Sequence, residues 1–223
     1  MLSELARLQE IRRIGTERTD EIARTLTDAF VDDPFSKWLF GKQQEGLEPR
    51  YWHWCCANHP ASGEIHVMGD LSGVALWYPM NLTKDKKLVA AEREYERKYQ
   101  EFCQELLADT GLENIYLRII RQCDKAIPNV PCWYLGSLGV ERQSQGKAIG
   151  ARLLAPMLQR CDKQGLPAYL DSSNPRNISF YERLGFRKHH KPVSVKGSPP
   201  LTPMFRPPQK PAEAPGSSIA EPE

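Results

Sequence analysis

The sequence predicts an α/β fold, on three observations. From Cys132 to Phe186 it reads strand, glycine-bearing loop, helix, strand, helix, strand. Upstream, Glu64–Met68 and Gly73–Tyr78 are two short apolar runs around a turn at Gly69–Ser72, the pattern of paired strands. Between these regions Leu88, Ala91, Tyr95, Tyr99, Phe102 and Leu106 recur at the spacing of one helix face.

The elements follow in order. Ile11–Thr16 suits a short first strand. Thr19–Phe30 carries Ile22, Ala23, Leu26, Ala29 and Phe30 at i, i+3, i+4 spacing, with Thr19 as its expected N-cap. Pro34 is expected to end that helix, with Phe35–Phe40 restarting another and the aromatic stretch Arg50–Asn58 forming a third. A long amphipathic helix is expected over Leu82–Leu107 and another over Glu113–Asp124. Cys132–Val140 is an apolar strand, and Ala151–Lys163 a helix closed by Gly165, which tolerates positive φ. Pro167–Asp171 is a strand and Asn177–Leu184 a short helix. Phe186 opens a further strand bearing His189 and His190. Leu201–Arg206 reads as a final edge strand, where prolines are tolerated.

A chain of 223 residues suits one domain, expected over 1–206, followed by a Pro-rich disordered tail over 207–223. Lys and Arg number 30 against 28 Asp and Glu, so no charge excess points to nucleic acid or an anionic membrane. No apolar run approaches the roughly 20 residues that span a bilayer, and Met1–Arg13 lacks the apolar core of a signal peptide. A cytoplasmic location is the expectation. Cys55, Cys56, Cys103, Cys123, Cys132 and Cys161 form no C-x-x-C pair, and the histidines lack ligand spacing, so free thiols and no metal are expected.

The segment Gln145–Gly150 joins a strand to a helix start. Successive N–H groups there can converge on an anion, the helix dipole adds favourable potential, and small residues permit close approach. It is no Walker A loop, because Ala148 follows Gly146-Lys147 where Ser or Thr is needed, and no G-x-G-x-x-G is present.

Leu138-Gly139-Val140 followed by Gln145–Gly150 resembles the acetyl-CoA signature Q/R-x-x-G-x-G/A of the GNAT acetyltransferases. Asn174 to Phe186 resembles their second signature, N-x-x-x-x-F-Y-x-x-x-G-F. Within that superfamily the chain is similar to the puromycin N-acetyltransferases, most clearly over Trp133–Phe186 and weakly over Ile22–Pro34 and Gly73–Pro79. Ala148 departs from the usual Gly, which implies weaker or displaced pyrophosphate contact. The resemblance implies a mixed central sheet, splayed at its centre, with helices on both faces. It also implies acetyl-CoA as cosubstrate. The backbone of Leu138 and Val140 would pair with the pantetheine arm, and the amides of Gln145, Gly146, Lys147, Ala148, Ile149 and Gly150 would hold the pyrophosphate. Asn177 matches the position that hydrogen-bonds the cofactor arm, and Tyr181 the tyrosine near the thioester sulfur.

The chemistry asks for the same parts. An amine attacks a thioester carbonyl, an oxyanion forms, and a thiolate leaves. Backbone N–H groups near Val140 would stabilise the oxyanion and Tyr181 would protonate the sulfur. Asp171, at a strand end, is the candidate base; a loop-fixing carboxylate is its other reading. Asp32 and Asp33 would attract a cationic amine, and Trp77 and Tyr134 would wall its pocket. The expected function is N-acetylation of a small-molecule amine, in a detoxification or resistance role, with oligomerisation left open. The alternatives are a protein or peptide acetyltransferase and a non-catalytic acyl-CoA-binding module.

Overall fold

The computed structural model describes residues 10–41, 46–195 and 197–209. Seven strands form one mixed sheet in the order β1-β2-β3-β4-β5-β7-β6. They are β1 (Ile11–Ile14), β2 (Glu64–Met68), β3 (Gly73–Met80), β4 (Cys132–Val140), β5 (Ala168–Ser172), β6 (Arg187–Lys188) and β7 (Thr202–Arg206). Every pairing is antiparallel except β4 with β5. That one parallel pair needs a crossover, supplied by helix α6 (Ile149–Gln164). The last strand is not an edge: β7 lies between β5 and the two-residue β6.

Helices α1 (Thr19–Phe30), α2 (Pro34–Leu39) and α3 (Leu47–Ala57) precede β2, and α4 (Lys86–Leu107) and α5 (Glu113–Ala126) separate β3 from β4. A single 3₁₀ turn, Pro175–Asn177, leads into α7 (Ile178–Arg183). Several boundaries differ from the sequence pattern for local reasons. The cap position of α1 is Arg18, because the Thr19 hydroxyl donates back to the Thr16 carbonyl at 2.7 Å. Pro34 starts α2 instead of ending α1; it occupies the first turn, where its missing N–H costs nothing. Helix α4 starts at Lys86, later than Leu82, because the Asp85 carboxylate accepts from the Lys87 and Leu88 amides.

The period-2 alternation of β3 decides the core. Val74 and Leu76 pack with Ile22, Leu26 and Trp52 of α1 and α3. Ala75 and Trp77 face the other way, onto Leu153, Leu154 and Met157 of α6. Helices therefore cover both faces, and each fully buried aliphatic side chain contributes about 1.5–3 kcal/mol. A third cluster joins α2, α4 and α5 through Leu39, Cys103, Leu107 and Leu117. Beside it the hydroxyls of Tyr51, Tyr99 and Tyr116 satisfy one another, with Tyr51–Tyr99 at 2.8 Å and Tyr99–Tyr116 at 2.5 Å.

Past β7 the chain is still held. Arg206 forms a two-pronged pair with Asp162, and the Gln209 N–H donates to the same carboxylate at 2.7 Å. The tail expected from Pro207 thus begins with a half-buried Pro207 and a hydrogen-bonded, exposed Gln209, and 210–223 lie outside the described residues, as do 1–9. All six cysteines are free and buried, and burial pushes their thiols up, to about 12 for Cys56 and Cys103 and about 11 for Cys132 and Cys161. No described helix is long and apolar enough to cross a membrane.

Candidate active site

Strands β4 and β5 stay together only from Trp133–Ala168 to Leu135–Leu170. Beyond that point β4 continues against β3 as far as Val140–Gly73, while β5 continues against β7 as far as Ser172–Thr202. The two parallel strands therefore part, and the main chain of 136–140 borders the gap without a ladder partner on that side among the described residues. The divergence starts at an irregularity in β4: the register slips between Leu76 and Trp77, leaving Gly136 as the extra residue. A side chain at Gly136 would meet the Tyr78 ring at 2.6 Å, so glycine is required there. Leu138 and Val140 turn their side chains to the α6 core.

The loop leaving β4 has the geometry of an anion cradle. Gly146 and Ala148 both have positive φ, +77° and +59°, and Lys147 between them does not. Such alternation turns consecutive N–H groups to one side. Gln145 secures the loop by donating to the Val140 carbonyl at 3.0 Å, and the Lys147 ammonium folds back onto the Gln143 carbonyl at 3.1 Å. Ile149 then opens the 16-residue helix α6. Gly150 lies close under α7, with Phe180 Cζ 3.3 Å from where a Cβ would stand. Ala148 holds a left-handed conformation that costs a non-glycine residue about 1 kcal/mol.

Across the gap, on β5, the groups are side chains. Asp171 is half-buried; Tyr169 donates to its Oδ1 at 3.1 Å and Tyr134 to its Oδ2 at 3.4 Å. Burial pushes the Asp171 carboxyl up to about 7, the two phenols oppose that rise, and Asp124 of α5 adds to it. Rings extend this wall across the sheet, Tyr134 lying 5.9 Å from Tyr169 and 6.3 Å from Tyr78. Tyr95 of α4 closes over Tyr78 at 5.9 Å, forming an aromatic roof.

Tyr181 of α7 is buried, with its ring 5.0 Å from Phe180 and 5.9 Å from Phe186. Burial raises its hydroxyl well above the ordinary phenol range and the charge of Asp33 adds to that, so it stays protonated. No hydrogen bond engages it among the described residues. Asn177, at the exposed entrance to α7, makes no side-chain cap and is free to bind elsewhere.

The structure brings Leu138, Val140, Gln145–Gly150, Asp171, Tyr134 and Tyr181 around one divergence. Trp77 is not among them: it is fully buried on the α6 face, so it does not wall the pocket assigned to it. Asp32 points to solvent in an ion pair with Lys37 at 2.7 Å, outside the cleft. Asp33 is buried and spent on structure, its Oδ1 accepting from the Phe35 and Ser36 amides and its Oδ2 from Ser173 at 2.7 Å. Sequence reasoning missed Tyr169, although strand periodicity puts it on the face of Asp171, and Gly136, although a glycine inside a strand is itself a bulge signal.

A family model described as the acetyltransferase (GNAT) family matches residues 26–186, which includes both signatures and the whole cleft. The chain belongs to the GNAT acetyltransferase family. It is accordingly an acyltransferase, and the family implies acetyl-CoA as cosubstrate. An uncharacterized N-acetyltransferase of Schizosaccharomyces pombe is 29% identical over 78% of this chain and 73% of its own. Among solved structures, a histone acetyltransferase HPA2 and related acetyltransferase from Corynebacterium glutamicum superposes with a TM-score of 0.59 at 21% identity, over 90% of this chain and 97% of that one. The arylalkylamine N-acetyltransferase 2 of Aedes aegypti gives 0.58 at 16% identity, over 90% and 99%. At such identities these two show the fold alone. The narrower likeness to puromycin N-acetyltransferases finds no support in these three relatives.

Proposed function

We propose that this GNAT enzyme acetylates a primary amine on a small molecule, by direct attack of the amine on the thioester of acetyl-CoA. The observation that carries the proposal is Asp171, a carboxyl pushed up to about 7 at the point where β4 and β5 part, held by two tyrosines. A base with that affinity takes a proton from an ammonium near neutral pH and is not already spent. The freed amine nitrogen forms the new bond to the carbonyl carbon. Main-chain N–H groups along the open edge of β4 face the oxyanion. As the carbon–sulfur bond breaks, Tyr181 supplies a proton to the sulfur, the role its protonated and unengaged hydroxyl fits, and the second proton shed by the nitrogen as the amide forms restores the phenol. Amides of Gln145–Gly150 would hold the pyrophosphate and Asn177 the cofactor arm, with Ala148 keeping the N–H a glycine would offer.

The aromatic roof limits the size of the acceptor. Tyr95 over Tyr78, carried on α4 between β3 and β4, narrows the acceptor side, whereas a protein acceptor needs an open groove. A detoxification role fits such a pocket and rests on the acceptor found. The test is release of free thiol from acetyl-CoA across puromycin, aminoglycosides, polyamines, amino acids and a lysine peptide. Turnover is expected with a small amine; turnover with the peptide alone overturns the small-molecule reading.

A further inference from the structure

Beyond Leu135 and Leu170 no ladder bond sets the width of the gap, so something outside the sheet must. Helix α1 and the corner behind it touch both arms. Along β4 the helix lies so close that a Cβ at Gly139 would meet Leu26 Cδ2 at 2.8 Å and Ala29 Cβ at 3.0 Å. Asp28, on the last turn of α1, accepts the Arg142 N–H at 2.8 Å and its Nε at 3.0 Å, fixing the exit of β4. Five residues on, Asp33 reaches the exit of β5. Its Oδ1 is anchored by two α2 amides, and its Oδ2 accepts from Ser173, two residues past Asp171 and just before the turn into α7.

We propose that Asp33 is a positioning residue: through Ser173 it holds the β5 arm, and with it Asp171 and the α7 segment bearing Tyr181, at the working distance from β4. The inference rests on the proposed transfer reaction. Anchoring matters because a carboxylate already bound to two amides cannot swing, so the Ser173 hydroxyl is held at a fixed place and a small displacement of the base is costly. Asp28 does the same for the other arm, which makes α1 and the corner after it a strap tied to both sides of the cleft.

Asp33→Ser keeps a capping hydroxyl for the α2 amides but is too short to reach Ser173, and Ser173→Ala removes the same tie from the other end. Each is expected to lower kcat for amine acetylation by about tenfold, with acetyl-CoA affinity within about twofold of wild type. The double variant is expected to be no worse than either single, since both cut one bond. Additive losses, or full kcat in Ser173→Ala, overturn the proposal. Amide hydrogen exchange over residues 171–177 gives a reading independent of turnover, and it should quicken in both variants. Should wild-type protein acetylate no amine, the functional reading fails while exchange still judges the strap: unchanged exchange refutes it.

Discussion

Where β4 runs into α6 the cleft presents main-chain N–H groups, and across the gap on β5 it presents a carboxylate and the phenols around it. The first wall depends on backbone conformation, on φ signs at Gly146 and Ala148 and on close packing at Gly150. The second depends on the burial of Asp171 and its contacts with Tyr134 and Tyr169, residues 37 and 2 positions away in the chain. In the proposed function the backbone device would bind a group common to every turnover, the pyrophosphate, and would tolerate little change. A side-chain device can be retuned for a new acceptor, one residue at a time.

Disrupting the backbone wall should have the largest effect. Gly150→Glu puts bulk against Phe180 and negative charge at the anion cradle, so acetyl-CoA affinity is expected to fall by roughly 100-fold or more. Calorimetry showing wild-type affinity would remove the loop from the site. On the opposite wall, Asp171→Asn should cost about 10²–10³ in kcat/KM for the amine and leave acetyl-CoA binding intact. In the proposed mechanism Asp171 works when ionised, so activity should climb as pH passes through about 7 and lose that limb in the variant.

The same carboxyl has a stability signature with the opposite sense. Its folded-state affinity for protons exceeds the unfolded one, so it costs nothing at pH 4 and progressively destabilises the fold as pH rises toward 7. Asp171→Asn should therefore raise the melting temperature by a few degrees at pH 8 and barely at pH 4; equal shifts at both would show a different origin. Tyr181→Phe sits between the walls. It is expected to slow transfer by roughly 10–100-fold without weakening acetyl-CoA, and unchanged turnover would end its role as acid. The smallest effect is Ala148→Gly, which relieves the left-handed conformation. A melting-temperature rise of about 1–3 °C is expected, with equal or tighter acetyl-CoA binding.

The two walls also differ in how far they can be read from the chain. Glycines at 146 and 150 ahead of an apolar helix announce a backbone device, because glycine is used where conformation or close approach demands it. Both tyrosine contacts of Asp171 are tertiary; only Tyr169 shares its strand. Trp77 and Tyr78 are neighbours on one strand, and no local pattern says that Trp77 is buried under α6 while Tyr78 meets Tyr95 of α4. Asp33 could have been read better, since Asp followed by Pro is the cap-then-first-turn sequence of a helix start. Its reach to Ser173, 140 residues away, could not.

The buried cysteines bear on how the enzyme can be watched. A chromogenic disulfide reacts with thiolate, and all six thiols are enclosed and held in the protonated form at neutral pH. The folded protein should therefore be silent to that reagent, so colour reports only the thiol released by acetyl transfer, continuously and without separation. The same reagent in denaturant should count six per chain, which makes a single cuvette both the activity measurement and an index of how much of the sample is folded.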